Sequence, residues 1–411
     1  MDPAIRPDNG LLLIALQSAE GTPATLDPTL HAVAFEQDSV SYGSPYTMEQ
    51  SSEVTGSLVA SAPLIIGQAA AISFRSRMKG AGNGTTYSSS VKPPLHAALQ
   101  GCGLRGLFQA AVAAAALTAG SATSGTLGTG FAATAQLYRG LPLILSGGSA
   151  AGKIPLVTDY TSGRVATLSQ TFSPVLSTGD QAAIPASWSY AGTSPQDEAA
   201  RGTDHPLVTI AYYEDGNLKQ WMDCRGTVDL EGQSARPGIA AFSFSGTYLG
   251  ETAAALPSNA VVALHSAPVL VKEGASGPDV ALINRKPLPI SRWALRNGGG
   301  VENPDDPNSP GGFAAGQIVG RTPMFEADPL KTLVTTRDAM AEIAAGSTYP
   351  ISLRFGSLAG NRWALTIPQA QPVSADPTIR GRLRAESMGF QCLSPGRDSV
   401  TRDGDRIITF F

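Results

Sequence analysis

From Ala69 to Gly80 the chain alternates, with Ile72, Phe74, Ser76 and Met78 on one side and Ser73, Arg75, Arg77 and Lys79 on the other. A period of two predicts a half-buried strand. PPLHAALQGCG follows from Pro93 to Gly103, and its leading proline and trailing glycine punctuate a short helix. The same succession returns later. GQIVGRTPMFEA, Gly316 to Ala327, predicts a strand, and DPLKTLVTTRDAMAEIAAG, Asp328 to Gly346, predicts a helix. Asp328 is its expected N-cap, with Pro329 in the first position and Gly346 at the end. Leu330, Leu333, Val334, Met340, Ile343 and Ala344 form an interrupted apolar stripe that should pack on a sheet.

A longer pattern also recurs. The first copy runs from Ile210 to Gly250 and the second from Leu353 to Ser394. Each opens with a short strand and turns through Gly-Asn, at Gly216-Asn217 and Gly360-Asn361, two residues that tolerate positive φ. Each continues into a strand carrying Trp221 or Trp363 and ends in a strand with two glycines eight apart, Gly238 and Gly246 or Gly381 and Gly389. In the second copy the predicted helix leads directly into this hairpin. In the first, a Gly/Ser/Thr/Ala-rich insertion at about 105–187 intervenes. Such an insertion is tolerable because closure cost grows only logarithmically with loop length.

Within the insertion, Gly147, Gly152 and Lys153 match the first seven places of a phosphate-binding loop. Ile154 stands where magnesium needs a hydroxyl, and Pro155 leads into β-branched sequence, not into the helix that would face a phosphate. The expectation is a glycine turn between strands.

Composition narrows the classes. Only 15% of the 411 residues are charged, while 45 are glycine and 30 proline. This is a turn-rich β chain with a surface suited to cover by neighbours. A net charge of −4 provides no field to hold nucleic acid or an anionic membrane. Cys102, Cys224 and Cys392 are odd in number and far apart, which suits reduced, buried thiols. His31, His96, His205 and His265 are scattered, so no metal site is expected. LLLIAL, Leu11 to Leu16, is too short for a signal segment, and the uncharged stretch from Gly106 to Tyr138 is too poor in strongly apolar residues for a membrane span.

The layout of LLLIALQSAEGTPATLDP, SYGSPYTMEQSSEVTGSLVASAPLIIGQAAAISFRSRMKGAG, PPLHAALQGCGL, LVTIAYYEDGNLKQWMDCRGTVDLEG, GIAAFSFSGTYLG and GNRWALTIPQAQ resembles the major tail tube proteins of long-tailed, siphovirus-type phages and related gene-transfer agents. The likeness covers about two-thirds of the chain and lies in order and spacing. It implies a mainly β, α+β fold of two tandem β-sandwich or split-barrel units, each with a flanking helix, sharing a β-barrel on oligomerisation. The first unit would be 1–255, carrying the inserted segment, and the second 256–411. The implied function is a structural virion protein, made in the host cytoplasm, whose stacked rings form the tube through which phage DNA is ejected. Tail terminator, tape measure and distal tail proteins are the implied partners, with DNA passing without specific binding and no membrane contact. Two units per chain imply a trimeric ring with pseudo-sixfold symmetry, and otherwise a hexamer. The alternative is a β-rich receptor-binding or baseplate-associated tail protein, which the 7% aromatic content disfavours.

No catalytic, cofactor-binding or metal-binding residue is singled out, and no enzyme is expected. VENPDDPNSPGG, Val301 to Gly312, lacks the ligand pattern of a calcium loop and reads as a plain loop. Arg75, Arg77 and Lys79, like Arg380, Arg382 and Arg384, form charge stripes that either pair with carboxylates or grip DNA, the first being the ordinary behaviour. Ser41 to Pro63 has no sustained apolar period and is expected to be an exposed loop or hairpin reaching the adjacent ring.

Overall fold

The computed structural model describes residues 5–6, 8–274 and 277–411. It is mainly β, with 45% strand against 5% helix, and its sheets are antiparallel. The first half contains β1 (Gly10–Leu16), β2 (Ala32–Val33), β3 (Ser41–Tyr42), β4 (Tyr46–Glu49), β5 (Leu64–Gly67), β6 (Ala70–Arg77) and α1 (His96–Gly101). Then β7 (Leu104–Gln109) and β8 (Ser187–Thr193) bracket the insertion, followed by α2 (Glu198–Asp204), β9 (Val208–Glu214), β10 (Asn217–Gln233) and β11 (Ile239–Ala253). The second half opens with β12 (Ala281–Ile283), β13 (Lys286–Pro287), β14 (Arg292–Arg296), β15 (Gly300–Glu302), β16 (Gln317–Gly320) and β17 (Met324–Ala327). It ends with α3 (Ala339–Ala344), β18 (Tyr349–Phe355), β19 (Trp363–Arg380), β20 (Leu383–Leu393) and β21 (Arg402–Phe410).

Pairing in the first half runs β2–β1–β9–β10–β11–β6–β3. In the second half it runs β13–β12–β18–β19–β20–β17–β14. The two orders correspond strand for strand. The halves join where the end of β10 pairs with β14, Leu230 opposite Leu295 and Gln233 opposite Arg292, and again where β8 pairs with β21, Trp188 opposite Phe410. One hydrophobic cluster runs beneath both halves, from Phe74, Trp221 and Phe242 to Trp293, Phe355 and Trp363.

The alternation in β6 produces the expected geometry. Ala70, Ile72, Phe74 and Met78 are buried, and Phe74 stacks on Phe242 with ring centroids 5.0 Å apart. The helix expected between Pro93 and Gly103 is α1, with Ala98 and Leu99 against the core. Trp221 and Trp363 are fully buried, and Trp363 lies parallel to Phe355 at 3.9 Å.

Four local expectations are corrected. The helix expected over 328–346 begins only at Ala339, capped by Asp338, whose side chain accepts from the Ala341 amide at 3.0 Å. Asp328 instead accepts from the Ser291 and Arg292 amides, while Pro329 and Lys331 pair with the β20 backbone at Glu386 and Arg384. The single strand expected over 316–327 is split into β16 and β17 around Pro323, whose carbonyl accepts from Cys392. The first hairpin turns through Asp215-Gly216, both at positive φ, and Asn217 is already in the strand. Gly360, at positive φ, and Asn361 do lie in the loop from β18 to β19, but the Asn361 side chain is engaged elsewhere. It is buried, accepting from the Gly80 amide and donating to Asn83 and Ser266. Finally, the two glycine pairs are not in equivalent register. Gly246 backs onto Cys224 on the core side, whereas Gly389 faces Ser374 and Val373 on the other surface.

The insertion is β-rich, as expected, and has its own interior. A four-stranded and a three-stranded sheet enclose Phe131, Tyr138, Leu143, Tyr160 and Leu168. Its stem strands β7 and β8 pair with each other, and β8 also pairs with β21, so it leaves and rejoins the main sheet at one place.

Candidate assembly surfaces

The glycine loop at 147–153 joins the strand Ile144–Gly147 to the strand Val157–Tyr160, as a turn between strands should. Its anion is the protein's own. The buried Asp180 carboxylate accepts from the Ala150 amide at 3.0 Å and the Ser177 amide at 2.9 Å, and a side chain at Gly148 would collide with it. Gly152 and Lys153 close the turn through backbone bonds to Leu145 and Ala150. An acidic side chain occupying the inside of such a loop repels phosphate.

The histidines are separately satisfied. His31 Nδ1 accepts from the Asp27 amide at 2.9 Å, His96 Nδ1 lies 2.7 Å from the Tyr190 hydroxyl, and His205 and His265 face the Thr193 and Gly80 carbonyls. Burial pushes His96 down to about 3 and His205 to about 4, so both are neutral at pH 7. Burial likewise pushes the three thiols up, Cys392 to about 12, which removes their nucleophilic form.

The arginines of the first charge stripe meet carboxylates, whereas Arg382 and Arg384 of the second are exposed and have no ion pair among the described residues. Arg75 pairs with Glu231, Arg77 with Glu36, and Arg296 lies 3.5 Å from Asp229 and 3.7 Å from Glu231. Lys79 donates to the carbonyls of Ala263 and His265, and its partial burial lowers its pKa. In the second stripe Arg380 donates to the Asp328 and Pro289 carbonyls. Arg75, Glu231 and Arg296 face a cleft of about 730 Å³ over the seam between the halves. This cleft lies opposite the core, so its ion pairs are half exposed and individually weak.

Several strands of the main sheet, β2, β7 and β13 included, have a single partner among the described residues, and two further open edges bear on assembly. Among the described residues, β3 is paired only with β6, and no strand flanks β19 beyond Ala370 except β20. Each half also sends out a hairpin arm between corresponding strands: β4–β5 between β3 and β6, and β15–β16 between β14 and β17. The expected exposed segment Ser41 to Pro63 comprises β3 and most of the first arm, and the arm's apolar content is higher than anticipated. Met48 is 71% exposed, Ile65 72%, and Val54, Leu58 and Leu64 are also exposed. The segment Val301 to Gly312 is the tip of the second arm, where Asp306 accepts from the Asn308 amide and the Ser309 hydroxyl.

Among the described residues no helix is long and apolar enough to cross a membrane. A scan against protein-family models finds no match to this chain, and a search of curated proteins finds none either.

Proposed function

We propose that this chain is a structural virion subunit that polymerises as stacked rings into a phage tail tube through which DNA is ejected. The observation that carries the reading is the identical order of seven antiparallel strands in the two halves, joined into one sheet in which β3 and the outer part of β19 each lack a second partner strand among the described residues. Open edges of this kind invite pairing with another chain unless they are covered. In this reading 1–255 and 256–411 are tandem tube-type units, and three chains supply six units to each ring. The β3 edge of one chain meets the β19 edge of the next, closing a shared barrel as β10 and β14 join the halves within a chain. Closure by rotation makes such a contact a ring instead of a filament. The pairing of Arg75, Arg77 and Arg296 with carboxylates removes part of the positive charge that would brake a sliding phosphate backbone. Terminator, tape measure and distal tail proteins would contact the ends of the stack.

Negative-stain images of concentrated purified protein test this. Stacked rings of three chains with approximate sixfold symmetry are expected. Monomers at every concentration would refute self-assembly, six complete chains per ring would refute the tandem arrangement, and discrete unstacked trimers would favour a receptor-binding tail protein.

A further inference from the structure

The second arm is held by the opposite half of its own chain. Arg225 of β10 donates to the Gly316 carbonyl at 2.8 Å, and Ser245 of β11 donates to Asn303 at 2.6 Å. Arg321 donates to the Thr193 carbonyl at 2.7 Å and pairs with Asp403 and Asp405. Ile318, second residue of β16, fills the space above Gly103 at the end of α1, where an added Cβ would come within 2.8 Å of its Cδ1. An arm belonging to the second half thus lies across the first, beside the β10–β14 seam.

The first arm holds the corresponding place in the strand order but is held more lightly: at its base Gly67 packs on Gly311 in the second arm, while its apolar residues stay exposed. Among the described residues its polar contacts are internal, such as Gln50 to the Ser61 carbonyl and Gln68 to the Ser44 carbonyl. An isolated two-stranded hairpin is marginal in water, and one with Met48, Ile65 and Leu64 exposed is more so.

We infer that the first arm is clasped by the second half of another copy of this chain, in the way that the second arm is clasped by the first half within the chain. The chemistry of the two seats differs as the arms differ. The second arm, rich in Asn, Asp and Gly, sits on Arg225, Ser245 and Glu20. The seat left open for the apolar arm is the surface around the end of α3, where Leu333, Val334, Met340 and Val373 are exposed. Gly346 after α3 and Gly103 after α1 share the same left-handed conformation, at φ 60° and 71°, so the two helix ends are built alike. The contact is heterologous: arm on one copy, helix end on the next, with the arm of the second copy free for a third. It lies beside the β3 edge within one ring, not on the adjacent ring.

This inference rests on the self-assembly proposed above and names its surfaces. Its test uses two single variants of the full chain, Ile65→Cys on β5, the counterpart of Ile318, and Ala345→Cys at the end of α3. Both positions are exposed, and the three native cysteines are buried. With a short bismaleimide, a covalent dimer is expected when the variants are mixed, at several times the yield of either variant alone. If the wild type assembles but the mixture gives no such excess, the arm assignment falls while self-assembly stands. Efficient cross-linking of Ile65→Cys to itself would show a symmetric contact and overturn the assignment. A chain that stays monomeric by light scattering at all concentrations overturns both.

Discussion

The two long hairpins, β10–β11 and β19–β20, hold the same place in the two halves and meet opposite fates at their tips. β10 ends between β11 and β14, with Leu230 buried, whereas β19 ends beside β20 alone, with Ile379 64% exposed. Their sequences record the difference. β10 has no proline, while β19 carries Pro368, Pro372 and Pro377. Proline has no amide to offer a second neighbour, so it suits a strand that must resist indiscriminate pairing. Pro372 and Pro377 remove two of the donors along the stretch of β19 that has no partner besides β20 among the described residues. One strand type therefore serves as an internal seam and as a guarded edge.

The sharpest way to break this comparison is to place a charge at both tips. Leu230→Asp should cost more than about 4 kcal/mol, because it buries an unpaired carboxylate. Ile379→Asp should change the denaturant midpoint by no more than about 0.5 kcal/mol while sharply reducing the assembled fraction in sedimentation. If both variants unfolded alike, the β19 tip would not be an edge.

Next in size are the tryptophans. Trp221→Ala and Trp363→Ala should each cost about 3–5 kcal/mol, measured by chemical denaturation, since each empties a fully enclosed site. A much smaller loss for one would mean that the halves do not share a single continuous core.

Protonation separates the halves more gently. His96 and His205 lie in the first half with folded pKa values of about 3 and 4, below the ordinary histidine value. The unfolded chain then binds more protons between those values and about 6.5, so stability should be full above pH 6.5 and decline as the pH falls toward 4. His96→Gln should flatten that decline, read as unfolding free energy against pH. An unchanged slope would show that His96 is not held neutral.

The smallest effect is expected at the glycine loop. Lys153→Ala should shift stability by less than about 0.5 kcal/mol, as an ordinary surface change does. Titration of the wild type with labelled ATP and magnesium should show no saturable binding. Micromolar binding lost in the variant would reverse the reading of that loop.

Local patterns were legible where side chains answer only to their own element. The alternation of β6, the proline and glycine around α1, and the glycine turn at 147–153 all depend on neighbours close in sequence. The signals failed where a distant partner competed. Asp328 looks like a helix cap, but the amides of Ser291 and Arg292 claim its carboxylate, and β20 claims the backbone at Pro329 and Lys331. Asn361 looks like a simple turn residue, but its side chain is claimed by Gly80 and Asn83 in the loop after β6 and by the Ser266 carbonyl. The first arm was legible as an exposed hairpin, but its correspondence with the second was not, because β4–β5 and β15–β16 share position in the strand order and not composition.

The seam between the halves also has a mechanical meaning. It is formed by four residue pairs, Leu230 to Gln233 against Arg292 to Leu295, while the β10–β11 hairpin beside it has thirteen. Under a pulling or bending load, strain concentrates where the fewest backbone bonds act together. This short line should therefore open before either hairpin yields, while the pairing of β8 with β21 still holds the halves together. The exposed Arg296 contacts with Asp229 and Glu231 straddle that line and can break and re-form as it opens. A polymer built from such subunits would have a compliant joint inside every chain.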